Sequence, residues 1–242
     1  MSGDRKFSIA IDGPAGAGKS TVAKLLALRY GLQYVDTGAM YRGVALLALR
    51  GGIGLNHEER LAGLARDAVF EFRAEKNGDG MLNRVFLNGE EVTQGIRTEA
   101  VSRYASPVSA VSGVRRELVA KQQRMGARGG VVMEGRDIGT VVLPDAEVKI
   151  FLTASEEERA RRRHLELLEK GDEQPLEEIR RAIHERDERD STRADSPLVA
   201  AEDAIGVPTD GVTIEQVVDA ISEIAEKKVP EAKRTRGDKD EV

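Results

Sequence analysis

The stretch FSIAIDGPAGAGKS (7–20) sets an apolar run against a glycine-rich loop that ends in Lys-Ser. Gly13, Gly18, Lys19 and Ser20 stand at the fixed places of the pattern G-x-x-x-x-G-K-[ST]. Glycines let the backbone turn tightly enough for successive N–H groups to converge on an anion, and the positive end of a following helix adds to the same field. In such a loop the Lys19 ammonium acts as a point charge on the outer phosphates and the Ser20 hydroxyl ligates Mg²⁺. The flanks agree with this reading. A β-rich run precedes the loop, and in STVAKLLALRYG (20–31) Val22, Leu25, Leu26 and Arg29 fall at helical spacing, with Gly31 where a helix stops. Strand, phosphate loop and helix decide the fold class. They name a triphosphate donor and leave its acceptor open.

Working outward, four more short apolar segments have the look of buried parallel strands: LQYVD (32–36), GVVMEG (130–135), EVKIFLT (147–153) and DAIGVPT (203–209). With the first they predict a doubly wound, five-stranded α/β sheet, whose ligand crevice lies beyond the carboxyl ends of the strands. Asp12, Asp36 and Glu134 all fall near such ends. Between about 52 and 105 the pattern changes. NHEERLAGLARDA predicts a helix capped by Asn56, and VFEFR and RVFLNGEEV predict antiparallel strands joined by KNGDG. This is expected to be a small α/β insertion on one domain spanning 1–226. SPVSAVSGVRRELVAKQQRMG predicts a helix from Pro107 to Gly126. A helical pair follows, with a Ser155/Glu158 capping box on its first member and Pro175 opening the second; a last helix starts at Thr213 with Gln216 completing a box. The segment 227–242 is expected to be a disordered charged tail.

The 242 residues are 40% hydrophobic and carry a formal net charge of −5, enough for one full core and unlike a general nucleic-acid binder. Aromatics are few, at 4%, which also counts against nucleic acid. Cysteine is absent, so disulfides and thiolate metal sites are excluded. No apolar run approaches membrane length, and MSGDRKF lacks the build of a signal peptide. A cytoplasmic monomer with small-molecule partners, and with neither nucleic acid nor membrane, is the expectation.

Three constellations carry chemistry. In ERDERDSTR (185–193), Arg186, Arg189, Asp190 and Arg193 share one helical face. The face is either a solvated ion-pair stripe or a set of cations that closes over a transferring phosphate, and a second cationic run, Arg159 and Arg161 to Arg163, lies upstream. In VDTGAMYR (35–42) a strand ends in a turn that presents the Thr37 hydroxyl, with Arg42 about one helical turn on. In VVMEGRDIGT (131–140) an apolar strand closes on Glu134, placed to orient Mg²⁺ through water, and Arg136 and Asp137 project from the same end. His57, His164 and His184 are scattered through polar helical patterns and receive no role.

Together these motifs resemble the bacterial cytidylate kinases of the nucleoside monophosphate kinase family, a P-loop NTPase fold. The resemblance is carried by IAIDGPAGAGKST, YVDTGAMYR, RTEAVSRYASPVS, VVMEGRDIGTVVLPDAEVKIFL and ERDERDSTRADSPL, spanning residues 9 to about 198 in the family's order. It implies a mobile acceptor-binding insertion (about 52–105), a helical lid (about 155–193), and transfer of the γ-phosphate of Mg²⁺-bound ATP to CMP or dCMP. Residue by residue, it implies that Gly13, Pro14, Ala15, Gly16, Ala17, Gly18, Lys19, Ser20 and Thr21 hold the donor phosphates. Thr37, Arg42 and Arg136 fall on the acceptor phosphate side; Ser106, Arg115 and Asp137 match positions that read cytosine. Arg186, Asp190 and Arg193 match positions around sugar and phosphate, with Lys19, Arg136, Arg186 and Arg193 as the catalytic cations and Ser20 and Glu134 on the metal. Thr37 replaces a Ser found in some members and Glu134 replaces an Asp.

Overall fold

Each central strand sends alternate side chains into two different helical layers, because the sheet is covered on both faces. The computed structural model describes residues 7–77, 80–169 and 171–232. The chain runs β1 (Ile9–Asp12), α1 (Lys19–Tyr30), β2 (Gln33–Asp36) and α2 (Thr37–Arg50). Next come α3 (Glu58–Asp67), β3 (Phe70–Asn77), β4 (Gly80–Leu87) and β5 (Glu90–Glu91), then α4 (Glu99–Ala110) and α5 (Ser112–Gly126). It finishes with β6 (Val131–Glu134), β7 (Val148–Thr153), α6 (Glu156–Glu169), α7 (Leu176–Thr192), β8 (Ile205–Pro208) and α8 (Ile214–Lys228). Five parallel strands lie in the order β2-β6-β1-β7-β8. The expected doubly wound sheet is present, and the strand order places the ends of β1, β2 and β6 side by side.

Ile9, Ile11, Val132, Val148 and Ile150 point into a core completed by α1 and α8, while Ala10, Val35 and Met133 face the opposite layer. A separate apolar core joins α2, α3, α4 and α5 to the antiparallel sheet β3-β4-β5, through residues such as Leu61, Phe70, Leu87 and Leu118. The approach of α2 to β3 there depends on Gly43, since a Cβ at this position would come within 2.5 Å of the Phe70 ring.

Several local expectations are corrected. The run RVFLNGEEV is two strands, because Asn88 (φ 52) and Gly89 (φ 84) turn the chain between β4 and β5, the left-handed pair that Asn-Gly favours. The helix expected from Pro107 to Gly126 is two helices. α4 starts at the Thr98 cap and contains Pro107; Val111 is extended (φ −71, ψ 115) and restarts the chain as α5. The change of direction seats Gly113 against α3, where a Cβ would lie 2.8 Å from that of Ala62. α3 is preceded by His57 rather than capped by Asn56, whose Oδ1 instead lies over Gly54. The Ser155/Glu158 box forms only by half. Ser155 Oγ accepts from the Glu158 N–H, but the Ser155 N–H goes to Asp210 and the Glu158 carboxylate to Arg161 and Arg162. The Thr213/Gln216 box is complete. The β3–β4 connection at 78–79 and the chain from 233 onward lie outside the described residues; before that point Ala232 is fully buried in the α1–α8 core.

Candidate active site

The glycine loop leaves β1 under tight constraint. Gly13 has φ +144, and a Cβ there would lie 2.2 Å from the Leu152 carbonyl oxygen of β7, so only glycine passes. Gly16 and Gly18 also have positive φ, at +80 and +89. Lys19 begins α1 with its Nζ donating to the Pro14 carbonyl at 2.6 Å. Burial, and after it the nearby Arg136 cation, lowers its pKa to about 7. From α6, Arg159 donates to the Ala15 carbonyl at 3.2 Å, and Arg162 donates to the Thr209 carbonyl at 2.6 Å.

At the end of β2, Asp36 caps α2 through Ala39 N–H at 2.9 Å and accepts from Arg42 Nη2 at 2.8 Å. Thr37 Oγ1 donates to the Glu134 carbonyl at 2.6 Å, tying β2 to β6. Register pairs Asp36 with Glu134, so two carboxylates stand side by side. Burial, then the charge of Asp36, raises the Glu134 pKa. The Tyr34 hydroxyl donates to its Oε1.

Beyond β6, Arg136 Nε donates to Asp190 Oδ2 of α7 at 2.9 Å. Asp190 is buried and also faces Arg193 at 3.5 Å and Arg186 at 3.9 Å. Burial opposes its charge, but Arg136, Arg186 and Arg193 together hold its pKa below the usual carboxylate value. Arg186 itself is lowered to about 10, by burial and then by Arg136. Next to Arg136, the Asp137 carboxylate accepts from Arg115 of α5, a pair with both side chains buried. The Arg115 guanidinium also lies 5.4 Å from the centre of the Tyr41 ring.

These groups line one cleft of about 230 Å³ that runs from the glycine loop to α4. Buried N–H groups of Arg42, Arg115, Arg186 and Arg193 that line it have no hydrogen-bond partner among the described residues. Unpaired guanidinium donors at such a cost mark a site built for anionic oxygens. A cytidylate kinase family model matches residues 9–227. The chain belongs to the cytidylate kinase family. A cytidylate kinase from Enterococcus faecalis is 52% identical over 223 residues, covering 92% of this chain and 97% of its own. One from Geobacter sulfurreducens is 50% identical over 227 residues, covering 94% and 96%. Membership carries the reaction, ATP-dependent phosphorylation of CMP or dCMP to the diphosphate.

In this chain the cleft gathers Thr37, Arg42, Ser106, Arg115, Arg136 and Asp137, together with Arg186, Asp190 and Arg193. Of the loop, Ala15, Gly16, Lys19 and Ser20 line it. Pro14, Gly18 and Thr21 do not line the cleft, and Ala17 is fully buried in the α1 core. None of the three histidines lines it. Sequence reasoning gave no role to Tyr34 or Tyr41, placed Arg189 on the cationic face without a partner of its own, and did not separate Arg159 and Arg162 from their neighbours. The last distinction was available from helical phase: Arg159 and Arg162, three apart, share the face that reaches Ala15 and Thr209, while Arg161 and Arg163 are themselves more exposed and pair within α6, with Glu158 and Glu166. Among the described residues no three His, Asp or Glu side chains form a metal cage. Ser20 beside the paired Glu134 and Asp36 carboxylates is nevertheless a hard oxygen set that suits a hydrated Mg²⁺ brought in on phosphates.

Proposed function

We propose that the chain carries out this reaction as a direct in-line transfer, with the donor phosphates held by residues 13–21 and CMP or dCMP held between α4, α5 and α7. The terminal phosphorus of ATP loses its bond to the bridging oxygen and gains one to an acceptor phosphate oxygen, and ADP leaves. That oxygen is already anionic near neutral pH, so no strong general base and no phosphorylated residue is needed. Lys19, Arg136, Arg186 and Arg193 neutralise charge on the transferring group, and Arg42 and Arg136 hold the acceptor phosphate. Ser20, and Glu134 through water, would hold the Mg²⁺, which supplies further neutralisation of the donor phosphates. The 52–105 insertion is read as the acceptor-binding region and 155–193 as the lid that excludes water. The chain is read as a cytoplasmic monomer acting on small molecules; its formal net charge of −5 argues against a polyanionic partner, and among the described residues no helix is long and apolar enough to cross a membrane.

The observation that carries the base assignment is the buried Arg115–Asp137 pair at the far end of the cleft. Cytosine offers an exocyclic amino donor, which suits Asp137, beside a ring nitrogen and a carbonyl that accept, which suit Arg115. Uracil reverses two of these atoms and would leave buried groups unpaired, a mismatch that is worth about 10⁴-fold in the best cases. Initial rates of the purified protein with CMP, dCMP, UMP, AMP and GMP test the assignment, with CMP and dCMP expected to dominate. Asp137→Ala should reduce use of CMP by about 10–100-fold while ATP affinity holds. Equal losses on both sides would overturn it.

A further inference from the structure

Directly after Asp137 the chain makes one wide helical turn, Ile138–Val142, closed by Val142 N–H to the Asp137 carbonyl and Leu143 N–H to the Ile138 carbonyl. The first N–H groups of a turn have no internal partner, and an Asp at the cap position ordinarily accepts from them. Asp137 occupies that position, yet its side chain caps nothing. Its carboxylate is engaged by Arg115 instead. The orphaned donors are satisfied from the neighbouring strand: Ile138 N–H donates to Asp12 Oδ1 at 2.8 Å and Gly139 N–H to Asp12 Oδ2 at 2.7 Å. Asp12 is the buried last residue of β1, immediately before Gly13.

We infer that Asp12 is a positioning residue for the acceptor: by capping the 138–142 turn in place of Asp137, it releases the Asp137 carboxylate to face the base. The inference rests on the reading of Asp137 as a base-contacting group. Both oxygens of Asp12 are in use, so an amide at this position accepts one N–H and sets its own NH₂ against the other. Without the cap, the Asp137 carboxylate would be drawn back to its ordinary role at the turn, and the Ile138 and Gly139 amides would compete with Arg115 for it. Burial raises the Asp12 pKa to about 6 against the pull of the two amides, so a carboxylate here is costly unless both bonds are made. The same residue therefore joins the strand that carries the donor loop to the segment that selects the acceptor.

The test is a double-mutant cycle of Asp12→Asn and Asp137→Asn, read by steady-state kinetics with CMP, UMP and ATP. Asp12→Asn is expected to raise KM for CMP about tenfold and to narrow the CMP-over-UMP preference, with a smaller change in KM for ATP. On the Asp137→Asn background it should take nothing further from that preference. Additive losses would mean that Asp12 only supports the fold, and the inference fails. If Asp137→Asn alone leaves the preference intact, the base reading itself falls; if it abolishes the preference while Asp12→Asn does not, only the role of Asp12 falls. Should Asp12→Asn not fold, the unaltered enzyme supplies a second readout. Saturating CMP should slow hydrogen exchange at the Ile138 and Gly139 amides, and a non-hydrolysable ATP analogue alone should not. Exchange indifferent to CMP would overturn the proposal.

Discussion

Arg189 of α7 donates to the Ser106 hydroxyl of α4 at 2.5 Å, joining the arginine-bearing helix to the end of the cleft proposed to hold the acceptor. Because Ser106 Oγ accepts from Arg189, its own proton is left to donate toward a bound base. Arg189→Ala is therefore expected to raise KM for CMP about 3–10-fold with kcat little changed, and Ser106→Ala should produce a loss of similar size. Combining the two should cost no more than either alone. A full product of the two losses would show that the contact does not orient Ser106.

Asp190 is the shared counter-ion of Arg136, Arg186 and Arg193. Its depressed pKa means that its stabilisation is present above the ordinary carboxylate value of 3.8 and is lost as pH falls through the lower folded-state value. Asp190→Asn leaves three guanidinium groups facing one another in a half-enclosed cleft. Removing one partner of a buried ionic cluster costs about 3–5 kcal/mol, which a urea melt at pH 7 would register. CMP should raise the thermal midpoint of the variant by more than it raises that of the parent, since the phosphate replaces the missing charge. An equal rise would contradict this account.

Lys19 should take up a proton when ATP binds. Its folded value of about 7 lies below the ordinary 10.5, so at pH 8 the ligand-free amine is mostly neutral. The cost of charging it is fully expressed below pH 7 and fades as pH rises toward 10.5, so this group makes the ligand-free protein more stable with rising pH across that window. Triphosphate oxygens reverse the preference. Calorimetry at pH 8 in two buffers of different ionisation heat should show uptake approaching about one proton, absent in Lys19→Met. Buffer-independent heats in the parent protein would rule this out.

Chelation separates metal chemistry from folding. EDTA should abolish turnover while leaving the melting temperature of the nucleotide-free protein unchanged, because among the described residues no metal cage holds the fold together. Glu134→Gln should raise the Mg²⁺ concentration needed for half-maximal rate and lower kcat. In the parent, the raised Glu134 pKa gives the rate an acid limb, since the carboxylate protonates as pH falls, and more Mg²⁺ should move that limb to lower pH. A limb that ignores Mg²⁺ would assign the titration to another group.

The parts of this architecture that were legible in sequence are those whose cause is local. The 13–20 loop, the five parallel strands and the Thr213–Gln216 cap each follow from residues within a few positions of one another, although β8, expected to be buried, is an edge strand with only Val207 inside. The break at Val111 was not legible, because it answers to the packing of Gly113 against Ala62, about fifty residues away in the chain. The half-formed cap at Ser155 likewise depends on Asp210, 55 residues away. Asp137 was legible as a carboxylate at a strand end, but Arg115 and the pairing of the two came only from family resemblance, since their contact spans 22 residues across an intervening strand. Asp12 looked like one more carboxylate at a strand end, since its partners at 138 and 139 become neighbours only when β1 and β6 pair.

The insertion's apolar core is distinct from the one behind the glycine loop, which bears on how such an enzyme changes its preferences. The helices and small sheet that frame the acceptor pack among themselves, apart from the layer that anchors the glycine loop. Phe72 and Met125 pack against both the insertion core and the layer of Ala10, Val35 and Met133, while Arg136–Asp190 and Arg115–Asp137 are ion pairs along the cleft. Substitutions that reshape the acceptor end therefore draw on the stability of one core while leaving the other intact. In this arrangement a change of nucleotide preference would be carried by the insertion's own packing, with the glycine-loop layer left as it is.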